Sequence, residues 1–573
     1  MTLTETDILD ESKLTPMMAQ WHACKKAAGD AILFFRMGDF YEAFYEDAIA
    51  LAREVDLTLT KRQNIPMAGI PWHTSEAYID KLIAKGLRVA IAEQTEDPKF
   101  AKGLVKREVV RVVTPGTVMN SSLLNDKSNN FFASIVSLSG TFGLAFLDLT
   151  TGEFRSIEFT HEHELLNEVS KIDPAELLIS KRLSEKHKML IEELQRSNHF
   201  LINIVDDWHF EGQNCYDFLV SHFKVHNLDG FGLKGMNAAT NSAGALLKHL
   251  REILCLNVDH IEQISAYSTS QYMSLDRAAQ RNLELTESLN EGNKKSTLLG
   301  VLDETLTPMG GRLLRQWIKQ PLLSLEQIFQ RQDGVAAFVA ATQNLAELRQ
   351  QLDGVRDLER LTMRISSGCC TPRDLLALKI SLEPIPQLKI LLQQLQNQSH
   401  LIFEKEQSLN PLSDVTQLIS RALVDEPPLR INEGGIFRAG YHAELDELRN
   451  ISHDSKSWIA QYQTQLRESS GIKTLKIGFT KIFGYYIEVS KGQAERTPDT
   501  FLRRQTLVNA QRYITPELKD YESKVLNAEE RMAAMESELF VQLRVYIAGF
   551  SKQILAIAQA LAVIDCLQSL GFV

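Results

Sequence analysis

The stretch TPELKDYESKVLNAEERMAAMESELFVQLRVYIAGFSKQILAIAQALAVIDCL, Thr515 to Leu567, places apolar residues at 518, 521, 525, 528, 532, 535, 539, 543, 546, 550, 554, 557, 561 and 564. That spacing of three and four writes one face of an α-helix. Thr515-Pro516 opens it with an N-cap and a proline at the first helical position, where the missing N–H costs nothing. At ~1.5 Å per residue a single helix would run roughly 70 Å. An opposing helix is written by Tyr441, Leu445, Leu448, Ile459, Tyr462 and Leu466. Between the two the period changes to two, at Leu475, Ile477 and Phe479 and again at Tyr485, Ile487 and Val489, with Gly484 at the turn. The reading is of two long helices carrying a small β-rich tip.

Prolines are absent between Pro174 and Pro308, between Pro428 and Pro498, and after Pro516, which favours long helices in those gaps. The chain is expected to turn helical after Gln271, with Thr307-Pro308 repeating the capping device. The N-terminal part differs. Apolar runs at Ile32–Met37 and Arg88–Ala92, with helical patterns between them, read as an α/β domain from residue 1 to about 119, closed by Thr114-Pro115-Gly116-Thr117. From Phe131 to Phe159, Gly140, Gly143 and Gly152 break three β-rich runs, and EHELLNEVSKI and ELLIS follow, so a second α/β domain is expected to about residue 250.

With 573 residues the chain exceeds one hydrophobic core, and about three to five domains is the size prior. Composition is that of a folded globular protein, at 44% hydrophobic and 24% charged residues. The acidic opening MTLTETDILDESK lacks the basic flank of a signal peptide, and the most apolar run, Ile554–Ile564, contains Gln559, so no membrane segment is expected. Six scattered cysteines without a C-x-x-C pair fit reduced thiols in a cytoplasmic protein. The net charge of -11 opposes general coating of polyanions, yet two basic islands interrupt it. Lys61–Arg111 and Lys473–Lys524 each hold ten Lys/Arg against six Asp/Glu.

Catalytic signatures are thin. Gly292-Asn293-Lys294-Lys295-Ser296-Thr297 imitates the tail of a P-loop without its glycines, so no ATP site is expected in this chain. His161 and His163 in HEHE lack the spacing of a zinc helix. Asp148, Glu153 and Glu158 could be metal-binding carboxylates of a nuclease, or solvated acids beside turns. The informative segment is FFRMGDFYEAFYED, Phe34–Asp47. Asp39 is read as starting a helix after the Gly38 turn, with Asp39 and Glu42 as a capping-box variant and Phe40 with Phe44 as an i, i+4 apolar pair. The competing reading makes Phe40 a wedge that stacks on a base and Glu42 its hydrogen-bonding partner, since a carboxylate near phosphates is useful only if it contacts a base.

FFRMGDFYEAFYEDA, PMAGIPWHTSEAYIDKL, VAIAEQTEDP, VVRVVTPGT, LDETLTPMGGRLLRQWI, GYYIEVSKGQ and FLRRQTLVNAQRYITPELKDYESKVL resemble, in order, successive blocks of the MutS family of DNA mismatch-recognition proteins. The resemblance spans essentially the whole chain. It implies a multidomain fold: a mixed α/β mismatch-binding domain at 1–119, an RNase H-like connector at 120–250, a helical core and lever at 251–440 and 515–573, and a β-rich clamp with lever-helix tips at 441–514. It implies that Phe40 wedges beside a mispaired base from the minor groove and that Glu42 bonds that base. It gives the clamp a grip on the DNA backbone, a task charge alone assigns to Lys473, Lys476, Lys481, Lys491, Arg496, Arg503 and Arg504. Lys61–Pro66 is short for a loop often longer in the family and is not expected to reach DNA. The partners implied are double-stranded DNA with mismatches or small loops, a second copy of the chain and a MutL-type repair factor, with no membrane and a nucleoid-associated, cytoplasmic location. The family's ATPase domain, which binds ATP and Mg and supplies most of the dimer contact, is expected to be missing from a chain that stops at Val573, leaving dimerisation weak or absent. The rival classes are an RNase H-like nuclease acting through Asp148 and a non-catalytic helical scaffold.

Overall fold

The computed structural model describes residues 15–96, 104–120, 123–197, 200–289, 294–395, 397–480, 484–498, 500–507 and 509–573. The chain divides into two compact units, one of Met1–Ser367, Pro384–Asn410 and Ser551–Val573, the other of Gly368–Glu383 and Pro411–Phe550.

The first unit begins with a six-stranded mixed sheet, β1 (Ile32–Met37), β2 (Phe40–Phe44), β3 (Thr60–Arg62), β4 (Ile65–Pro71), β5 (Val89–Gln94) and β6 (Arg107–Val113), in the order β3-β4-β2-β1-β5-β6. Strand β1 is apolar over its first four residues because the sheet is covered on both faces. Ile32 and Phe34 join Leu51, Ile79 and Leu82 of helices Tyr45–Val55 and Ser75–Ile83. Leu33 and Phe35 pack with Met18, Trp21 and Cys24 of helix Pro16–Ala28.

A second six-stranded sheet follows: β7 (Phe132–Leu138), β8 (Thr141–Asp148), β9 (Glu153–Phe159), β10 (Glu176–Ser180), β11 (Leu201–Val205) and the short β12 (Ser265–Ala266), ordered β11-β10-β7-β8-β9-β12. Gly140 and Gly152 occupy the turns flanking β8, as expected. Gly143 does not break a run but lies inside β8, because the backbone of helix Asn237–Lys248 passes where its Cβ would be, 2.0 Å from the Ala238 carbonyl oxygen. The rest of this unit is helical. Helix Ser551–Phe572 packs against Pro308–Lys319, Leu325–Ala340, Leu358–Ser367 and His400–Gln407. It is long and apolar enough to cross a membrane, with mean hydropathy 1.7, but 67% of that window is buried among these neighbours, so its composition is that of a core helix.

The second unit contains helices Ala443–Ser470 and Pro516–Ala548 and the sheet β13 (Lys476–Thr480), β14 (Gly484–Ser490), β15 (Leu502–Thr506) and β16 (Ala510–Ile514), ordered β13-β14-β16-β15. The long helices meet through Trp458, stacked 3.7 Å from Tyr521. Thr515 caps the second, its Oγ accepting from the Leu518 N–H. The single helix expected from Thr515 to Ile564 is two helices. It ends at Ala548, where Gly549 and Phe550 donate backward to Tyr546 and Ile547, tightening the last turn, and a new helix starts at Ser551. The apolar spacing runs straight through the break, which is why the pattern alone hides it.

Candidate nucleic-acid interface

The helix expected at Asp39 is a β-hairpin. Gly38 takes φ +59°, followed by Asp39 in ordinary backbone, the two-residue turn that needs glycine at its first position. Residues 40–44 therefore form β2, paired with β1 on one side and β4 on the other. No capping box forms, because Asp39 and Glu42 are not on a helix. The strand period of two sends Tyr41 and Ala43 into the core and puts Phe40, Glu42 and Phe44 on the opposite face. Phe44 is covered by Trp21, whereas Phe40, at the rim, is 47% exposed.

Phe40 faces water on a strongly supported turn. Arg36 donates from Nε to the Gly38 carbonyl at 2.5 Å and lies over the Trp72 ring at 4.5 Å, and Trp72 N–H bonds the Asp39 carbonyl. Tyr41 donates to Glu93, and burial together with Glu93 pushes its phenol above the usual range. Glu42 is half-buried. Burial pushes its pKa up and Arg62, with Nη1 3.4 Å from its carboxylate, pulls in the other direction without cancelling the shift. Arg62 reaches Glu42 from a tight hairpin in which Gln63 and Asn64 both take positive φ, a two-residue turn. The segment Lys61–Pro66, from which no DNA contact is expected, supplies the ion-pair partner of the candidate base-reading carboxylate. The sequence carried no signal for that pairing, since Arg62 and Glu42 are on strands separated by β4.

The cations of the second unit fall into two groups. Lys473, Lys476 and Lys491 are exposed at the β13 side, where Lys476 opposes Glu488 in register and Thr474 reaches toward Ser490 and Gln493. Arg503 and Arg504 are exposed on β15, the other edge of the sheet, with Arg503 bonded to Thr506 and an irregularity before Gln505. Lys481 lies outside the described residues, as does the side chain of Arg496. Arg512, which charge counting along the sequence does not single out, is occupied: it pairs with Glu488 at 3.2 Å and stacks over Tyr486 at 4.0 Å.

The nuclease carboxylates are also occupied. Asp148 is buried and accepts from the Asn130 and Thr150 N–H groups, the Thr150 hydroxyl and Asn129. Glu153 pairs with Arg155 at 2.9 Å, and Glu158, at the far end of β9, accepts from the N–H groups of Ala238 and Ala239. No group of three or more His, Cys, Asp or Glu that could hold a metal occurs among the described residues. Among the described residues Lys294–Ser296 form a short 3-10 turn, and the nearest preceding element is helix Arg277–Asn282; Gly292 and Asn293 lie outside the described residues.

Three family descriptions match in order: MutS domain I over residues 15–122, MutS domain II over 130–262 and MutS domain III over 278–571. The chain belongs to the MutS family. Among curated MutS relatives, the DNA mismatch repair protein MutS of Protochlamydia amoebophila is 62% identical over 566 residues, covering 99% of this chain and 66% of that protein. Its counterparts in Symbiobacterium thermophilum and Halothermothrix orenii are 44% and 43% identical, over 98% of this chain in each case and 65% and 63% of their own lengths. The chain thus spans just under two thirds of the MutS proteins it matches. Phe40 and Glu42 fall within the domain I match, and Lys473, Lys476, Lys481, Lys491, Arg496, Arg503 and Arg504 within the domain III match.

Proposed function

We propose that this chain recognises mispaired or unpaired positions in duplex DNA and acts in DNA mismatch repair. The observation that carries this reading is Phe40, a large aromatic ring left in solvent at the rim of a sheet buried on both faces, beside a carboxylate whose burial raises its pKa. A ring in that position can wedge between base steps from the minor groove, and Glu42 can bond the displaced base edge. Discrimination is energetic: a mispair has already lost pairing and stacking, so kinking there costs less, by about 1–3 kcal/mol. The exposed Lys473, Lys476, Lys491, Arg503 and Arg504 serve as phosphate contacts without sequence preference. DNA binding is the task this reading gives the three matched domains.

The test is fluorescence anisotropy on matched and mismatched duplexes. Phe40→Ala is expected to weaken mismatch binding by about 1–3 kcal/mol while matched binding is nearly unchanged. Equal affinity of this variant and the parent for mismatched DNA would remove the reading.

A further inference from the structure

The strand beside Phe40 and Glu42 carries a glycine that the fold does not require. Gly69 lies inside β4, with Glu42 as its direct partner on β2 and Phe40 paired to the next-but-one residue, Pro71. Glycine weakens a strand interior, and where it persists it marks a bulge, a bend or a close approach of another molecule. Strands β2 and β4 pair from Phe40 to Phe44 without a register shift, so no bulge is present. The Gly69 backbone is not in the left-handed region, and a Cβ there would sit 3.7 Å from the Tyr41 carbonyl, 3.8 Å from Glu42 Cγ and 3.9 Å from Phe40 Cδ1, all ordinary packing distances. By contrast a Cβ at Gly310 would fall 2.2 Å from the Asp565 carboxylate, so there the packing demands glycine. Gly69 is exposed, and its missing side chain leaves a shallow notch on the face shared by Phe40 and Glu42.

We infer that Gly69 is a specificity-determining residue, whose bare backbone lets the sugar edge of the kinked strand settle between the Phe40 ring and the Glu42 carboxylate. The inference rests on the reading of Phe40 and Glu42 given above. A duplex touched by both side chains must approach the strand between them. A side chain at 69 would fill that approach from below and hold the base edge away from Glu42, without disturbing the hydrogen-bonded ladder. Matched DNA, which is gripped through its backbone and does not enter the notch, is unaffected.

Gly69→Ala and Gly69→Val in the full chain test this, alongside Phe40→Ala. Valine favours strands, so the melting temperature of Gly69→Val should equal or exceed that of the parent. Mismatch affinity should fall about ten- to a hundredfold in Gly69→Val, and less in Gly69→Ala, with matched affinity held within about twofold. If folded Gly69→Val binds mismatched DNA as the parent does, or loses matched and mismatched binding equally, the role of Gly69 is overturned even where Phe40→Ala loses discrimination. If the Val variant does not fold, the Ala variant decides by the same criteria. Discrimination unchanged in Phe40→Ala as well would overturn the underlying reading and this inference together.

Discussion

At the residue scale, Glu42 makes the sharpest demand on chemistry. Burial raises its folded-state pKa above the ordinary carboxylate value, with Arg62 opposing the shift. A carboxyl raised on folding contributes stability that is fully present below its unfolded pKa and lost as pH rises through the folded value. Glu42→Gln should therefore be at least as stable as the parent at neutral pH, and that advantage should vanish on acidification toward about pH 4.3, the unperturbed range. Thermal melts of both chains across that interval check the sign, and a Gln variant that melts below the parent at neutral pH but level with it in acid would contradict it. Gln keeps a donor and an acceptor and loses the charge that repels phosphate, so matched-duplex affinity should rise and the mismatch-to-matched ratio fall. The strand that carries Phe40 and Glu42 was not legible in the sequence, which reads a helix there. Gly38-Asp39 can cap a helix or turn a hairpin, and five residues with two periodicities in play, Phe40 to Phe44, do not decide between them. What settles it is pairing to β1 and β4, a tertiary fact.

At the element scale, the sheet β13-β14-β16-β15 has exposed cations beside β13, at the end of β14 and on β15, and those not paired have a measurable consequence. Lys473, Lys476 and Lys491 form no ion pair among the described residues, whereas Arg512 is neutralised by Glu488. Replacing the three lysines with Gln should weaken matched and mismatched binding alike and reduce the slope of log affinity against log salt by up to ~0.9 for each phosphate no longer neutralised. A salt titration of both duplexes reads this directly, and weakening confined to mismatched DNA would show that the surface had been misassigned. Helix and strand identity here followed from period alone, since the shift from three-and-four spacing to alternation marks the tip. The break at Gly549 did not, because Tyr546, Phe550 and Ile554 keep helical spacing across it. A helix end that preserves the phase of its apolar face leaves no trace in periodicity.

At the scale of the whole molecule, the segment that leads into the second sheet is held by buried charge. Arg312 bonds the Asp126 carbonyl and the carboxylates of both Asp357 and Glu359, at 2.6 Å in its closest approaches, while Arg360 bonds the carbonyls of Asn125 and Ser128. Asp148 grips the same segment from the other side, through Asn129 and the Asn130 N–H. The acid that sequence offered as a catalytic candidate is thus one end of a structural clasp. The two carboxylates respond differently to one arginine. Burial pushes both up, but two Arg312 bonds and the Arg360 N–H outweigh it at Asp357, which is held below its usual value, whereas Glu359, with one bond, stays raised. Arg312→Met would leave Glu359 without its cation and Asp357 with only the Arg360 guanidinium, 3.7 Å away, and breaking a largely buried pair from one side costs about 3–5 kcal/mol. Without the arginine, protonation becomes the cheaper way to neutralise these acids, so the cost should be greatest at neutral pH and shrink on acidification toward pH ~5. Adding Asp357→Asn and Glu359→Gln removes the stranded charge and should recover most of the stability at neutral pH. Urea unfolding of the three chains at both pH values checks the argument. A penalty under ~1 kcal/mol that does not change with pH would mean that water already solvates the cluster and that the clasp is held by its carbonyl bonds alone.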